Sequence, residues 1–198
     1  MGEAEKTATR TRGDTREQVL AAALHLFTHD GYFNTSVHDI ARESQVSVGS
    51  IYHHFKDKEG IARALYLGLI ERMVEALDAI HRQHTSAYDR CRALIALLFR
   101  ITEDEPETME FMLYAKHREF LPGERPVCSS RPFELMRAFV ADGMDSGEVR
   151  RMDPMVASTC LFGGAIRMIT ARLDGVLDGR LQDYEEEIWR CSWRAVAV

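Results

Sequence analysis

Apolar residues recur every three or four positions along almost the whole chain, the spacing that gathers them on one face of an α-helix. No stretch alternates apolar and polar residues between turn signals as a strand does. The pattern predicts an all-α fold of about nine helices. The first is expected to begin at Asp14, which forms a capping box with Glu17; Leu20, Ala23, Leu24 and Phe27 share one face, and Gly31 ends the helix. A second opens at Ser36 with Asp39 as capping partner, turns Val37, Ile40 and Ala41 inward, and stops near Ser44. After the turn Ser44-Gln45-Val46, Ser47 caps a third helix over 48–54, in which Ile51 and Phe55 are spaced to pack back on the first two. Asp57 caps a long fourth helix striped by Ile61, Leu65, Leu69, Met73, Leu77 and Ile80. Further helices are predicted over 89–102, 106–120, 132–145, 154–174 and 184–195. Pro106, Pro132 and Pro154 stand at or near first turns, where a missing N–H costs nothing. Residues 122–131, with Pro122, Gly123 and Pro126, read as a loop.

Composition narrows the class. With 45% hydrophobic and 28% charged residues over 198 positions, the chain can bury a sizeable core in one large domain or two modest ones. There is no internal repeat and no glycine-rich phosphate loop. Apolar stretches such as 19–24 fall short of a membrane span, and the polar residues 1–11 lack the apolar centre of a secretory signal, so a cytoplasmic protein without membrane partners is expected. Cys91, Cys128, Cys160 and Cys191 are too scattered for a zinc site and read as buried small hydrophobes. His81 and His84, three apart, read as a solvated helix end, so no metal and no cofactor is expected.

Two short helices joined by a brief turn, the second opening on small residues, form the helix-turn-helix unit that sets a recognition helix in the DNA major groove. Val48, Gly49 and Ser50 allow close approach to base edges; Tyr52, His53 and His54 offer donors to phosphates; Lys58 adds a cation at the start of the long helix. A net charge of −6 is not the footprint of a basic DNA binder. The local field at the backbone matters more, because salt screens distant charge within about 8 Å. Contact confined to a small surface predicts a modest salt dependence.

Residues 15–65 resemble the DNA-binding domain of the tetracycline-repressor (TetR) family. The matches are Leu26-Phe27, Gly31-Tyr32, Thr35-Ser36-Val37, Ile40-Ala41, the run from Val46-Ser47-Val48-Gly49-Ser50 through Ile51-Tyr52-His53-His54-Phe55, and Lys56-Asp57-Lys58-Glu59. The resemblance implies that Tyr52 and His54 contact phosphates and that Gly49 and Ser50 face bases. It also implies that Thr35, Ser36 and Val37 meet the backbone, that Lys58 holds a phosphate, and that Arg16 contacts another. Lys6, Arg10 and Arg12 fall in a flexible arm, residues 1–13, ahead of a DNA-binding domain over 14–60. This chain has Gln45 where the family has glycine in the turn, which asks a non-glycine residue for positive φ, and Gly60 where it has glutamate.

Residues 61–198 are similar to the family's ligand-binding and dimerisation domain in architecture. Phe99, Met109, Met112, Leu113, Phe139 and Phe162, with His117 as a polar group, suit a pocket for a partly apolar effector and suit a plain core equally. Gly163 and Gly164, each costing about 1 kcal/mol inside a helix, point to close helix approach. With Arg167 and Trp189 they are assigned to a homodimer interface of the four-helix kind. The expected function is a transcriptional regulator, a repressor whose dimer leaves a palindromic double-stranded operator when a small molecule binds. The alternatives are a regulator acting through a protein partner and a helical enzyme, although no catalytic motif is visible.

Overall fold

The computed structural model describes residues 2–198, with side chains from Thr15 onward. Ten α-helices follow one another: α1 (Gly2–His29), α2 (Val37–Ser44), α3 (Val48–Phe55), α4 (Lys58–Gln83), α5 (Ala87–Asp104), α6 (Pro106–Tyr114), α7 (His117–Phe120), α8 (Arg131–Ser146), α9 (Pro154–Leu173) and α10 (Leu181–Arg194). One 3₁₀ turn, Val127–Ser129, interrupts the loop expected over 122–131. Among the described residues the extended pairing is confined to an isolated antiparallel bridge between Val149 and Ala197. The all-α expectation holds.

The helices form two compact units. The first takes the chain up to Leu69 together with Glu110–Pro126; the second takes Ile70–Met109 and Val127–Val198. In the first unit, Val19, Ala23 and Phe27 of α1, Ile40 of α2, Ile51 and Phe55 of α3, and Ile61 and Leu65 of α4 are all buried. This is the i, i+4 periodicity of the sequence made into a core. In the second, α5, α8, α9 and α10 pack on one another around Leu94, Phe99, Phe139, Leu161, Phe162 and Trp189.

Two half-buried carboxylates tie the second unit's helices together. Glu148 accepts from the N–H groups of Ala87 and Tyr88 at 3.0 and 3.1 Å, so the segment after α8 caps the start of α5. Burial pushes the Glu148 carboxyl up, but these two N–H groups and the Ser146 hydroxyl outweigh it, and the group is held below the ordinary carboxylate range. Glu103, near the end of α5, accepts from Arg172 at 2.9 and 3.2 Å and from the Leu181 N–H at 2.9 Å. The Arg172 guanidinium is the main reason its carboxyl is also held low.

Four expectations are corrected. Helix α1 is already formed at Gly2, so Asp14 lies within the helix instead of capping it. The side chains of Lys6, Arg10 and Arg12 in the expected arm lie outside the described residues. Of the cysteines only Cys91 is buried, its thiol pushed up to about 12 by burial first and by Glu148 second, while Cys128, Cys160 and Cys191 are exposed. Residues 154–166 carry no charge, and α9 is long and apolar enough by length and composition to cross a membrane; a third of that window is buried inside the protein.

The fourth correction concerns residues 106–120, which form two helices instead of one. Helix α6 stops at Tyr114, and Lys116 takes φ −79°, ψ 64°, with the His117 N–H donating to the Ala115 carbonyl at 2.9 Å. That is an inverse γ-turn. It carries His117 inward, where Nε2 meets the Phe111 carbonyl at 2.9 Å and the ring lies 4.8 Å from both Tyr66 and Phe111. His117 is 6% exposed, and its Nδ1 has no partner. Burial holds this imidazole below its ordinary pKa, outweighing the pull of the backbone carbonyls.

Candidate nucleic-acid interface

The helix-turn-helix is built by its caps. Ser36 Oγ accepts from the Asp39 N–H at 3.2 Å, and the Asp39 carboxylate accepts from the Ser36 N–H at 3.0 Å. The reciprocal pair satisfies two orphan donors and is worth about 1 kcal/mol. Gln45 ends α2 at φ 57°, ψ 23°, the left-handed state expected where the family has glycine. Ser47 then caps α3 by accepting from the Ser50 N–H at 3.2 Å. Two short helices and one left-handed residue thus set the direction of α3.

Helix α3 is anchored by one face and offers the other. Ile51 and Phe55, one turn apart, are 1% and 5% exposed. On the opposite side Gly49, Tyr52 and His53 are exposed, with Val48, Ser50 and His54 half-buried beside them. A β-carbon on Gly49 would meet nothing within 4 Å, so its smallness answers no need of the chain's own packing. The His53 and His54 rings meet edge to face at 5.5 Å. Lys56, which spacing left out of the expected contacts, is exposed at the end of this face. Arg16 on α1 is exposed too, its guanidinium 5.8 Å from the centre of the Phe55 ring.

Three expected contacts point inward instead. Thr35 is 3% exposed and donates its hydroxyl to the Gly31 carbonyl at 3.0 Å; Val37 is 9% exposed. Lys58 was expected to hold a phosphate, but its ammonium donates to the Tyr32 and Thr35 carbonyls, each at 2.9 Å, and sits 4.2 Å from the centre of the Tyr32 ring. Burial lowers its pKa. Lys58 is therefore a clamp that ties the α1–α2 connection to the start of α4. Only Ser36 of the Thr35–Val37 trio remains exposed, and its side chain is occupied by Asp39.

The junction behind α3 is unusual. Lys56 takes φ 65°, ψ −48°, and the Asp57 N–H donates back to the Phe55 carbonyl at 2.8 Å. This is a γ-turn with positive φ, a strained conformation for a residue with a side chain. Asp57 then caps α4 as expected, accepting from the Gly60 N–H at 2.7 Å.

The residues assigned to a pocket and a dimer surface separate. Phe99, Phe139 and Phe162 are buried in the second unit with Met109, whereas Met112, Leu113 and His117 belong to the first. A cleft of about 350 Å³ in the first unit is lined by none of the seven. Trp189 is 1% exposed, packed against Tyr88 at 4.8 Å and Trp193 at 5.3 Å, so it belongs to the core and not to an interface. Gly164 and Arg167 are exposed on α9, and Gly163 is half-buried there.

Comparison with known proteins places this geometry. Residues 19–65 match the family model described as bacterial regulatory proteins, tetR family. The chain is 23% identical over 164 residues to the fatty acid metabolism regulator protein of Bacillus subtilis, covering 77% of this chain and 80% of that protein. The structure of a TetR family transcription regulator from Marinobacter aquaeolei superposes with a TM-score of 0.78 at 23% identity, over 96% of this chain and 98% of the other. The regulator FadR of Bacillus subtilis, solved in complex with stearoyl-CoA, superposes with a TM-score of 0.77 at 19% identity, over 89% and 96% of the two chains. The family model falls on the capped pair α2 and α3 and on the helices that hold them. Residues 19–65 carry the DNA-binding domain of the tetR family of bacterial regulatory proteins, and the chain is a DNA-binding transcriptional regulator.

Proposed function

We propose that this chain is a repressor that binds a palindromic operator as a homodimer and leaves it when a partly apolar small molecule binds. The observation that carries the reading is the division of α3 into an anchored face, Ile51 and Phe55, and an offered face, Gly49, Tyr52 and His53. Gly49 admits the backbone to base edges and Ser50 reads them, while Tyr52, His54 and Lys56 hold phosphates. Arg16 contributes from α1. The −6 net charge restricts the contact to this small surface, so few counterions are released on binding.

Dimerisation is assigned to the outward face of α9. A β-carbon on Gly163 would meet nothing within 4 Å, and on Gly164 only Ser192 Oγ at 3.8 Å, so neither glycine is required by the chain's own packing. Two glycines inside a helix cost about 1 kcal/mol each relative to alanine. A second copy of α9 laid against them gives that cost a function. Its recognition helices then stand about 34–36 Å apart, or a multiple, as successive major grooves require.

The effector is taken to be amphiphilic, and acyl-CoA thioesters are the first to test because the Bacillus subtilis FadR structure holds stearoyl-CoA. Selection of operator DNA from a random pool tests the reading: inverted repeats are expected, with binding that weakens as effector is added. Recovery of no preferred sequence would overturn it and favour a protein partner. Tyr52→Phe together with His54→Ala should weaken operator and random DNA alike, because phosphate contacts carry little sequence information.

A further inference from the structure

Beyond the DNA-binding face, the first unit contains a cleft of about 350 Å³ between the end of α1 and the α6–α7 segment. Its inner wall is aromatic: Phe27, Tyr32, Phe111 and Phe120 form a continuous series, with Phe27 to Tyr32 at 5.3 Å, Phe27 to Phe111 at 6.5 Å and Tyr32 to Phe120 at 4.3 Å. Its mouth holds two of the most exposed aromatic side chains, Phe33 at 64% and Tyr114 at 47%. A protein in water gains nothing by exposing two large rings on one concave surface, and such a surface marks a binding site more often than a bare one.

The polar groups specify the occupant. Glu110 and Glu119 both line the cleft; Glu119 is shared with Lys116 at 3.4 Å, while Glu110 is in no ion pair among the described residues. The lining itself therefore carries one more negative than positive charge, beside ring faces that attract cations through their quadrupoles, as the Tyr32 ring already does with the Lys58 ammonium 4.2 Å from its centre. The Thr28 hydroxyl, also in the lining, is buried without a hydrogen-bond partner. A buried hydroxyl left unpaired costs free energy that a ligand's polar group recovers. The volume is at the lower end of small-molecule pockets, too small to enclose a nucleotide-bearing thioester.

We propose that this cleft is a binding site for a compact organic cation with an aromatic or aliphatic body, separate from the site of the amphiphilic effector. The ammonium stands beside Glu110 against Tyr114 and Phe33, and the apolar body lies along Phe111 toward Thr28. The inference does not depend on DNA binding or on the effector reading, and its test is made without either.

Calorimetric titration of the full-length chain with benzyltrimethylammonium, with neopentylbenzene as neutral isostere and with benzoate, decides it. The quaternary ion is expected to bind at least tenfold more tightly than either. Glu110→Gln should weaken it by roughly five- to tenfold and Tyr114→Ala by roughly two- to fivefold. Both positions are half-buried or exposed, so circular dichroism should show the variants folded. Arg118→Gln, exposed and outside the lining, should change nothing. No heat from the quaternary ion at millimolar concentration, equal binding of benzoate, or affinity indifferent to Glu110→Gln would each overturn the proposal.

Discussion

The carbonyl oxygen of Phe55 lies 2.0 Å from where a β-carbon on residue 60 would stand. Only glycine at that place lets the end of α3 tuck against the first turn of α4. The same carbonyl accepts the Asp57 N–H across the positive-φ turn at Lys56. Gly60→Ala should therefore destabilise the first unit by about 1–3 kcal/mol, because backbone must move. Urea denaturation of the variant measures this, and operator affinity should fall with it as α3 shifts. An unchanged midpoint would show that the junction relaxes freely.

Lys58→Met separates a clamp from a phosphate contact. Removing the ammonium leaves the Tyr32 and Thr35 carbonyls without their donor, at about 1–2 kcal/mol for a charge-assisted pair in a partly solvated place. Stability is expected to drop while the slope of log affinity against log salt stays where it was, since no counterion was displaced by this residue. A slope reduced by about one would return Lys58 to the DNA.

Acid should loosen the protein in two stages. The His117 pKa is lowered in the fold, so below the ordinary histidine value of about 6.5 the unfolded chain takes up a proton that the native one refuses. Stability then declines as pH falls from there toward the folded pKa. Glu103 and Glu148 are also held low, and the stability they contribute is present above the ordinary glutamate value of about 4.3 and lost as pH falls through their folded values. Denaturation curves at successive pH should show both declines. His117→Phe should flatten the upper one and leave the lower, whatever its effect on absolute stability.

Substitutions at Gly163 set helix stability against assembly. With open space around its β-position, Gly163→Ala is expected to raise protomer stability by up to about 1 kcal/mol, and Gly163→Leu to shift sedimentation velocity toward monomer. If Gly163→Leu remains dimeric, the interface lies elsewhere on the chain.

What the sequence makes legible here is local. Ser36 with Asp39, Ser47, and the inward spacing of Ile51 and Phe55 are each decided within a few residues, and they fixed α2 and α3 in advance. The left-handed state of Gln45 was legible for the same reason. Lys58, Thr35, Trp189 and the break before His117 were not. Each is decided by a partner far along the chain or by the path of a neighbouring helix: the Tyr32 carbonyl for Lys58, Tyr88 on α5 for Trp189, and for His117 a γ-turn that no residue type announces. Hydrophobic period tells which side of a helix is buried, but not which polar head finds a carbonyl there.

The packing of Trp189 and Trp193 on Tyr88 has an optical consequence. These are the chain's two tryptophans, and both lie in the second unit. Indole emission therefore reports the second unit and is blind to the first, whereas far-ultraviolet dichroism sees the helices of both. Melts followed by the two signals will coincide if the units unfold as one and split if the reading head melts alone. The protein carries its own reporter for whether its halves are thermodynamically coupled.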